Sequence, residues 1–523
     1  MIWQAWPEVV RGLACVLGCV GVVAGMCAGP VAAARASGLP GVCASLAAAR
    51  THAAITAYEP RPGSPRIFAM QYEQAPRSVV SYASFRAKID CMLRTYVLPH
   101  RARNRPNVVV FNEDIGLATL AIGSRGTRGR ALFTLRTGGC GTTGAACGAI
   151  GALGLITSAY AGPVAAYARR FTGFTGLSRG FVAATDTIVR SFMATFSAEA
   201  KRYGLYMIGS ADIAPFTQSR APSDLATFSD PDLHPRPASV YVATAPQVYN
   251  EVFMWGPRGV RRAGPDVMRN VVASNLKVPL TGLEVGIGLT PGPSHGPAAI
   301  ANLRPYALPG THARIGFATS LPAFTFGSPG AAVNSCSDTS LYYMRCLDRL
   351  GANLVIQDEA NPGAWTGPDG NGAEQWQPLS WMGSTYRTVA DPSVHFDYNV
   401  TAMMVGNLGD LTFDGQSAIT QRGLGGAGGS GRGCHYIGNA SFVPGEDLPV
   451  FRPDVGRLPD FVALAPWVVP DASRAALRRV GAELAPGSGS RLEDDYLETA
   501  LVADLPFPPD PHRHSCAGAS VAR

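Results

Sequence analysis

The feature that most limits what this chain can fold into is a set of short apolar runs without polar alternation, separated by stretches of helical spacing. IFAMQYE (67–73) and NVVVFNE (107–113) carry apolar residues on both faces of an extended chain, so each predicts a strand buried on both sides. Between them Phe85, Ile89, Met92, Leu93 and Tyr96 share one helical face within 81–98, and Pro99 ends the run. Ile188, Phe192, Phe196 and Tyr203 predict a second helix over 187–203, capped by Gly204 and followed by a strand at LYMIG (205–209). Alternation of this kind specifies a sheet covered by helices, an α/β fold.

Further strands are predicted at 239–245, 248–255, 313–319, 353–358, 398–406 and 410–415. The first two read as a meander, as do the last two, and a helix is predicted over 340–350. Residues 137–168 hold no charge and eight glycines, and that glycine density with Pro163 favours a packed loop or lid over a membrane span. Residues 421–433 read as a glycine loop, and the chain beyond 460 as a proline-rich tail with one short helix near 471–484.

At 46% apolar and 15% charged, the composition suits a well-buried globular protein. The net charge of +7 comes without a basic cluster interleaved with aromatics, so it is read as solvated surface and no nucleic-acid partner is expected. Of the 44 basic residues only Lys88, Lys201 and Lys277 are lysines; the first two are expected on exposed helix faces, the third in an apolar stretch. An uncharged run from Gly12 to Ala34, after Arg11 and before AAARA, reads as an export signal over 1–35 or an uncleaved anchor. The expectation is therefore a secreted or cell-envelope protein, with membrane association only through the N-terminus. Cysteine use agrees. With Cys15, Cys19 and Cys27 removed in the signal, Cys336 reactive and Cys346 on a buried helix, Cys43, Cys91, Cys140, Cys147, Cys434 and Cys516 remain, enough for up to three disulfides of unspecified pairing.

Cleaving an unactivated C–N bond needs a nucleophile, a group to deprotonate it, and a cation where negative charge develops. Glu113 ends the strand NVVVFNE, where a carboxylate is part-buried and its pKa raised. Lys277 sits in NLKVPLTGLE, seven residues before Glu284. Cys336 lies just ahead of the 340–350 helix, where backbone N–H groups favour a thiolate. The order Glu113, Lys277, Cys336, with Asp338, the helix, GANLVIQ and then DEANPGAW (358–365), resembles the nitrilase, or carbon–nitrogen hydrolase, superfamily over roughly residues 66–420.

That resemblance implies a nitrilase-like α-β-β-α sandwich over 36–460, a four-layer arrangement once paired with a second subunit, carrying a long insertion at 115–185 and a C-terminal extension at 461–523. It further implies a homo-oligomer and hydrolysis of an amide, less readily a nitrile, through a cysteine thioester without cofactor. Glu113 would act as base and Cys336 as nucleophile, with Lys277 and the N–H of Ser337 on the oxyanion. Glu284 and Asp338 would support the cluster, and Asn361 and Trp365 would line the substrate pocket. Two alternatives stay open: transfer of the acyl group to an amine or lipid, and a secreted binding protein on a silent hydrolase scaffold.

Three other motifs carry less. GPSHG (292–296) satisfies G-x-S-x-G, but its flanking prolines exclude the strand and helix that a nucleophile elbow at Ser294 needs. GLGGAG (423–428) lies in the glycine loop with no helix to hold a pyrophosphate. His512, His514 and Cys516 sit in the proline-rich tail without a fourth ligand, and no H-E-x-x-H or C-x-x-C occurs, so no metal is expected.

Overall fold

The computed structural model describes residues 50–133, 148–261, 263–327, 336–362, 377–424, 434–441, 450–458, 461–465 and 480–513, with Cys43 and Leu46. Two strand–helix–strand–helix–strand units supply the frame. The first runs through β1 (Arg66–Glu73), α1 (Tyr82–Met92), β2 (Asn107–Val110), α2 (Ala194–Tyr203) and β3 (Tyr206–Ile213), with all three strands parallel. β4 (Tyr249–Trp255) and β5 (Val271–Leu276) then extend that sheet antiparallel beyond β3. The second unit runs through β6 (Arg314–Phe317), α3 (Thr339–Arg349), β7 (Leu354–Glu359), α4 (Gln377–Ala390) and β8 (Tyr398–Leu408), again with parallel strands. β9 (Ala418–Gln421) and β10 (Phe461–Leu464) follow β8 antiparallel.

The two-sided burial foreseen for the apolar runs is what builds the layers. Side chains alternate across a strand, so Ile67, Ala69, Val108 and Val110 face one way and meet Ile315, Phe317, Leu354, Ile356 and Val400 of the second sheet in a shared core. Phe68, Met70, Tyr72, Val109 and Phe111 face the other way, onto Phe85 and Ile89 of α1 and Phe196 of α2. Val355 turns outward beneath Tyr343, Met344 and Leu347 of α3. The order is helix, sheet, sheet, helix: an α-β-β-α sandwich, with all four layers drawn from this one chain rather than completed by a second subunit. Glycine sets the closest helix approaches, because a Cβ on Gly209 would come within 2.8 Å of the Phe196 ring and one on Gly316 within 2.7 Å of Leu347.

Several expectations need revision. Val240–Ala243 pairs with Phe216–Ser219 in a separate ribbon rather than with 248–255, and Val271–Leu276 is a strand that the pattern did not reveal. The 398–415 meander forms as expected, with Val405 opposite Asp414. Within the 137–168 stretch the described part is helical rather than looped: Gly148–Ala159 and Ala161–Arg170 bury Ile156, Tyr160 and Tyr167 in the first sheet's helix-side core. No single described helix is long and apolar enough to cross a membrane; that pair passes by length and composition together, but it is bent by 79°.

The chain beyond 460 is not merely a tail. Leu497–Asp504, β11, pairs antiparallel with β1 and is buried along its length. Lys88, expected on the surface, is buried instead: its Nζ meets Glu498 Oε2 of β11 at 2.6 Å, an ion pair that ties α1 to the end of the chain. Lys201 is exposed as foreseen. Disulfides join Cys43 to Cys91 and Cys336 to Cys346. The export-signal reading, Cys140, Cys147, Cys516, His514 and most of the 471–484 helix lie outside the described residues.

If β11 is integral to the sandwich, Leu501→Ala is expected to cost about 2–5 kcal/mol in chemical denaturation, as for other fully buried leucines. A tail strand of no structural consequence would leave the unfolding midpoint unchanged.

Candidate active site

Strand ends gather the polar residues. Beyond β2 the chain stays extended through Phe111, whose N–H donates to Ile208 O, and delivers Glu113 into the interior. Lys277 follows β5 directly, its own N–H held by Asn250 O of β4. Its Nζ donates to Glu113 Oε1 at 2.6 Å and lies 3.0 Å from Glu284 Oε2. Glu284 is placed by its local sequence: it is the third residue of the short helix Gly282–Gly286 and closes a capping box with Thr281. Asn250 gives its two amide protons to Glu113 Oε1 (2.8 Å) and Glu284 Oε1 (3.1 Å). Ala360 N–H, just past β7, donates to Glu113 Oε2 at 3.0 Å. Glu113, Lys277 and Glu284 therefore converge, buried, at one end of both sheets.

The electrostatics follow from one ammonium among many carboxyls. Burial raises the Glu113 pKa, Lys277 opposes it and Glu284 reinforces it, leaving the group at about 7. For Lys277 burial works to lower the pKa, but Glu113 and Glu284 outweigh it, and the amine stays firmly protonated. Burial also lifts Asp114, Asp212 and Glu359 well above the usual carboxylate range, with Asp212 adding to Asp114, Glu284 to Asp212, and Glu113 to Glu359. Asp358 is raised by burial too, against hydrogen bonds from Thr319 and Ser210. The cluster thus holds protons that an exposed set of acids would have lost.

Cys336 needs correcting. Its sulfur is bonded to that of Cys346, ten residues on in α3, and both belong to the apolar cluster with Val278, Phe326 and Met344. In this state there is no thiol to ionise, so the expected nucleophile is absent from the constellation. Its neighbours have structural occupations. Asp338 caps α3, accepting from Ser340 N at 2.9 Å, and Ser337 O is 2.9 Å from His295 Nδ1. Ser294 also packs at this helix start, its carbonyl accepting from Thr339 N.

Asn361 is buried near Glu113: its Oδ1 accepts from Ser320 Oγ at 3.1 Å and its Nδ2 donates to Glu359 Oε2 at 2.5 Å. Trp365 lies outside the described residues. Sequence reading missed Asn250, Asp212 and Ser320. Ser320 had a usable signal, since it directly follows the 313–319 strand candidate and precedes Leu321–Pro322 at a helix start, the strand-end placement that singled out Glu113.

Comparison with known proteins adds a distant likeness. No family model matches the chain, and no curated protein matches it. Among solved structures it is similar to an amidase from Nesterenkonia sp. AN1 carrying acrylamide on its active-site cysteine: 13% identity, 68% of this chain and 85% of that one, TM-score 0.34. A mutant described as from the nitrilase superfamily gives 14%, 69%, 85% and 0.34, and a further structure of a Nesterenkonia sp. amidase gives 14%, 76%, 92% and 0.35. A likeness at this level carries no argument, and the architecture described above rests on the chain's own strand order and core.

Lys277→Met would leave Glu113 and Glu284 buried without their counter-ion, an expected loss of roughly 3–5 kcal/mol in stability near neutral pH. Glu113 has a folded pKa above its unfolded one, so its protonated form favours folding at low pH and that contribution is lost as pH rises through about 7. Without Lys277 the folded pKa climbs further, so the deficit of the variant, followed by denaturant titration, should widen from about pH 5 to about pH 8. A deficit independent of pH would contradict the pairing.

Proposed function

We propose that this chain is a carbon–nitrogen hydrolase that cleaves a linear amide through an acyl-enzyme, with Glu113 as the acid–base group. The observation that carries the reading is the buried Lys277–Glu113 contact at 2.6 Å. A carboxyl with a pKa near the working pH can take a proton from a nucleophile and return it to a departing amine in one cycle. A fixed ammonium beside it offsets the negative charge that builds on the carbonyl oxygen, in a site already shielded from water. The same Glu–Lys pairing, in the same chain order, is what the nitrilase resemblance implies, and it supports the amide over other acyl substrates.

A thioester at Cys336 is not part of this proposal, because that sulfur is already bonded. The same bond favours a second reading, a binding protein on a silent scaffold. Turnover separates the two. Over a panel of short linear amides, the protein is expected to release ammonia or amine with a rate that rises with pH and is half-maximal near 7, as Glu113 ionises. Glu113→Gln should lower that rate by about 10²–10⁴-fold. Turnover undiminished in Glu113→Gln would refute the assignment, and none in the unaltered protein would favour the binding reading.

A further inference from the structure

Among the described residues only three other than glycine adopt a positive φ: Asp114 (56°), Ser320 (57°) and Asp494 (64°). The first two flank the Glu113–Lys277 pair. A side chain other than glycine is strained in this region of backbone space, and the conformation persists only where the surroundings enforce it. At Ser320 the enforcement is visible. Its N–H donates to Asp358 O, and its ψ of −118° turns the chain sharply between β6 and the helical turn Leu321–Phe324, of which it is the N-cap. A strand, a strained serine and a helical turn in succession are the local geometry that thrusts a hydroxyl out of a sheet for attack.

Two hydrogen-bonded paths tie this serine to the charged pair. Ser320 Oγ donates to Asn361 Oδ1 at 3.1 Å, and the preceding residue, Ala360, holds Glu113 Oε2 through its N–H at 3.0 Å. On the other side Thr319 Oγ1 donates to Asp358 Oδ1 at 2.7 Å, Ser210 Oγ to Asp358 Oδ2 at 2.9 Å, and Asp114 N–H to Ser210 Oγ at 2.9 Å. Both paths run to the Glu113–Asp114 dipeptide. Ser320 itself is buried among polar neighbours, not in the apolar cluster that encloses Cys336.

We propose that Ser320 is the nucleophile of this site, so that the acyl-enzyme is an oxygen ester. The proposal rests on the hydrolase reading for its substrate but on the elbow geometry for its residue. Ser320 Oγ forms a bond to the amide carbonyl carbon while its proton passes to the Glu113 carboxylate. The carbonyl π pair moves onto oxygen, where the Lys277 ammonium offsets its charge. As the C–N bond breaks, Glu113 delivers the proton to the amine. Water then attacks the ester with Glu113 again as base, releasing the acid and restoring Ser320.

A fluorophosphonate probe tests the residue without needing the natural substrate. Attack by Ser320 forms an O–P bond and expels fluoride, and intact mass followed by peptide mapping should show one adduct, at Ser320. Ser320→Ala should take no label and lose amide turnover by at least about 10³-fold, and Glu113→Gln should label about 10²-fold more slowly. Ser320→Cys, which keeps size and backbone, should instead react with iodoacetamide at that position, showing that the site is folded and accessible. No adduct on the unaltered protein, an adduct elsewhere, or turnover lost in Cys336→Ala but retained in Ser320→Ala would overturn the proposal. Amide turnover surviving Ser320→Ala removes the nucleophile and leaves the hydrolase reading standing. Labelling at Ser320 without turnover of any amide does the reverse.

Discussion

The pairing of Lys277 with Glu113 organises the interior around it. Burying either charge alone would cost several kcal/mol, and each is tolerated because the other is within 3 Å and both have hydrogen-bonding neighbours. Burial raises the pKa values of Glu113, Asp114, Asp212 and Glu359, their mutual repulsion and that of Glu284 adds to it, and one ammonium cannot offset both for all of them, so protons are retained in the interior. A site with protons to exchange at neutral pH is a consequence of that imbalance, not of any single residue.

The sandwich explains why these groups meet although they are far apart in sequence. Each half is a strand–helix–strand–helix–strand unit of parallel strands, and the two sheets pack face to face through Ile67, Val110, Ile356 and Val400. Parallel strands present their C-terminal ends on the same side, where loops carry function on a rigid frame. Glu113 leaves β2, Ser320 leaves β6, and Ala360 and Asn361 leave β7, while Lys277 leaves β5, which is antiparallel to β4 and so runs in the same direction as β3. β8 joins the halves, pairing at Met404 and Val405 with Tyr72 and Glu73 of β1. The chain's end then locks the first half, through β11 and the buried Lys88–Glu498 contact.

How much of this was legible in the sequence depended on the range of the interaction. Strands buried on both faces announced themselves, because NVVVFNE and NLVIQD carry apolar residues with no alternation. The Glu113–Lys277 pair was also readable, one by its strand-end placement and the other by the scarcity of lysine. Cys336 was misread for a physical reason. A cysteine before a helix has the local signature of an activated thiolate, and nothing local says that a second sulfur on that helix will fold back to meet it. β11 was hidden because LETALVAD carries charge at both ends and runs straight into the proline-rich PFPPDP (506–511); only its long-range pairing with β1 makes it a strand. Ser320 showed only its place at the end of the 313–319 strand; a positive φ has no side-chain signature outside glycine, so the strain that sets it apart exists only in the folded chain.

Glu113 is the carboxyl on which the site turns, raised to about 7 by burial and held from rising further by the Lys277 ammonium. Isotope-edited infrared spectroscopy of the folded protein, comparing the unaltered chain with Glu113→Gln, isolates the carboxyl band of that one residue across a pH titration. A midpoint of about 7, moving upward when Lys277 is replaced by methionine, is the expected result. A midpoint at the ordinary glutamate value, unmoved by loss of Lys277, would contradict it.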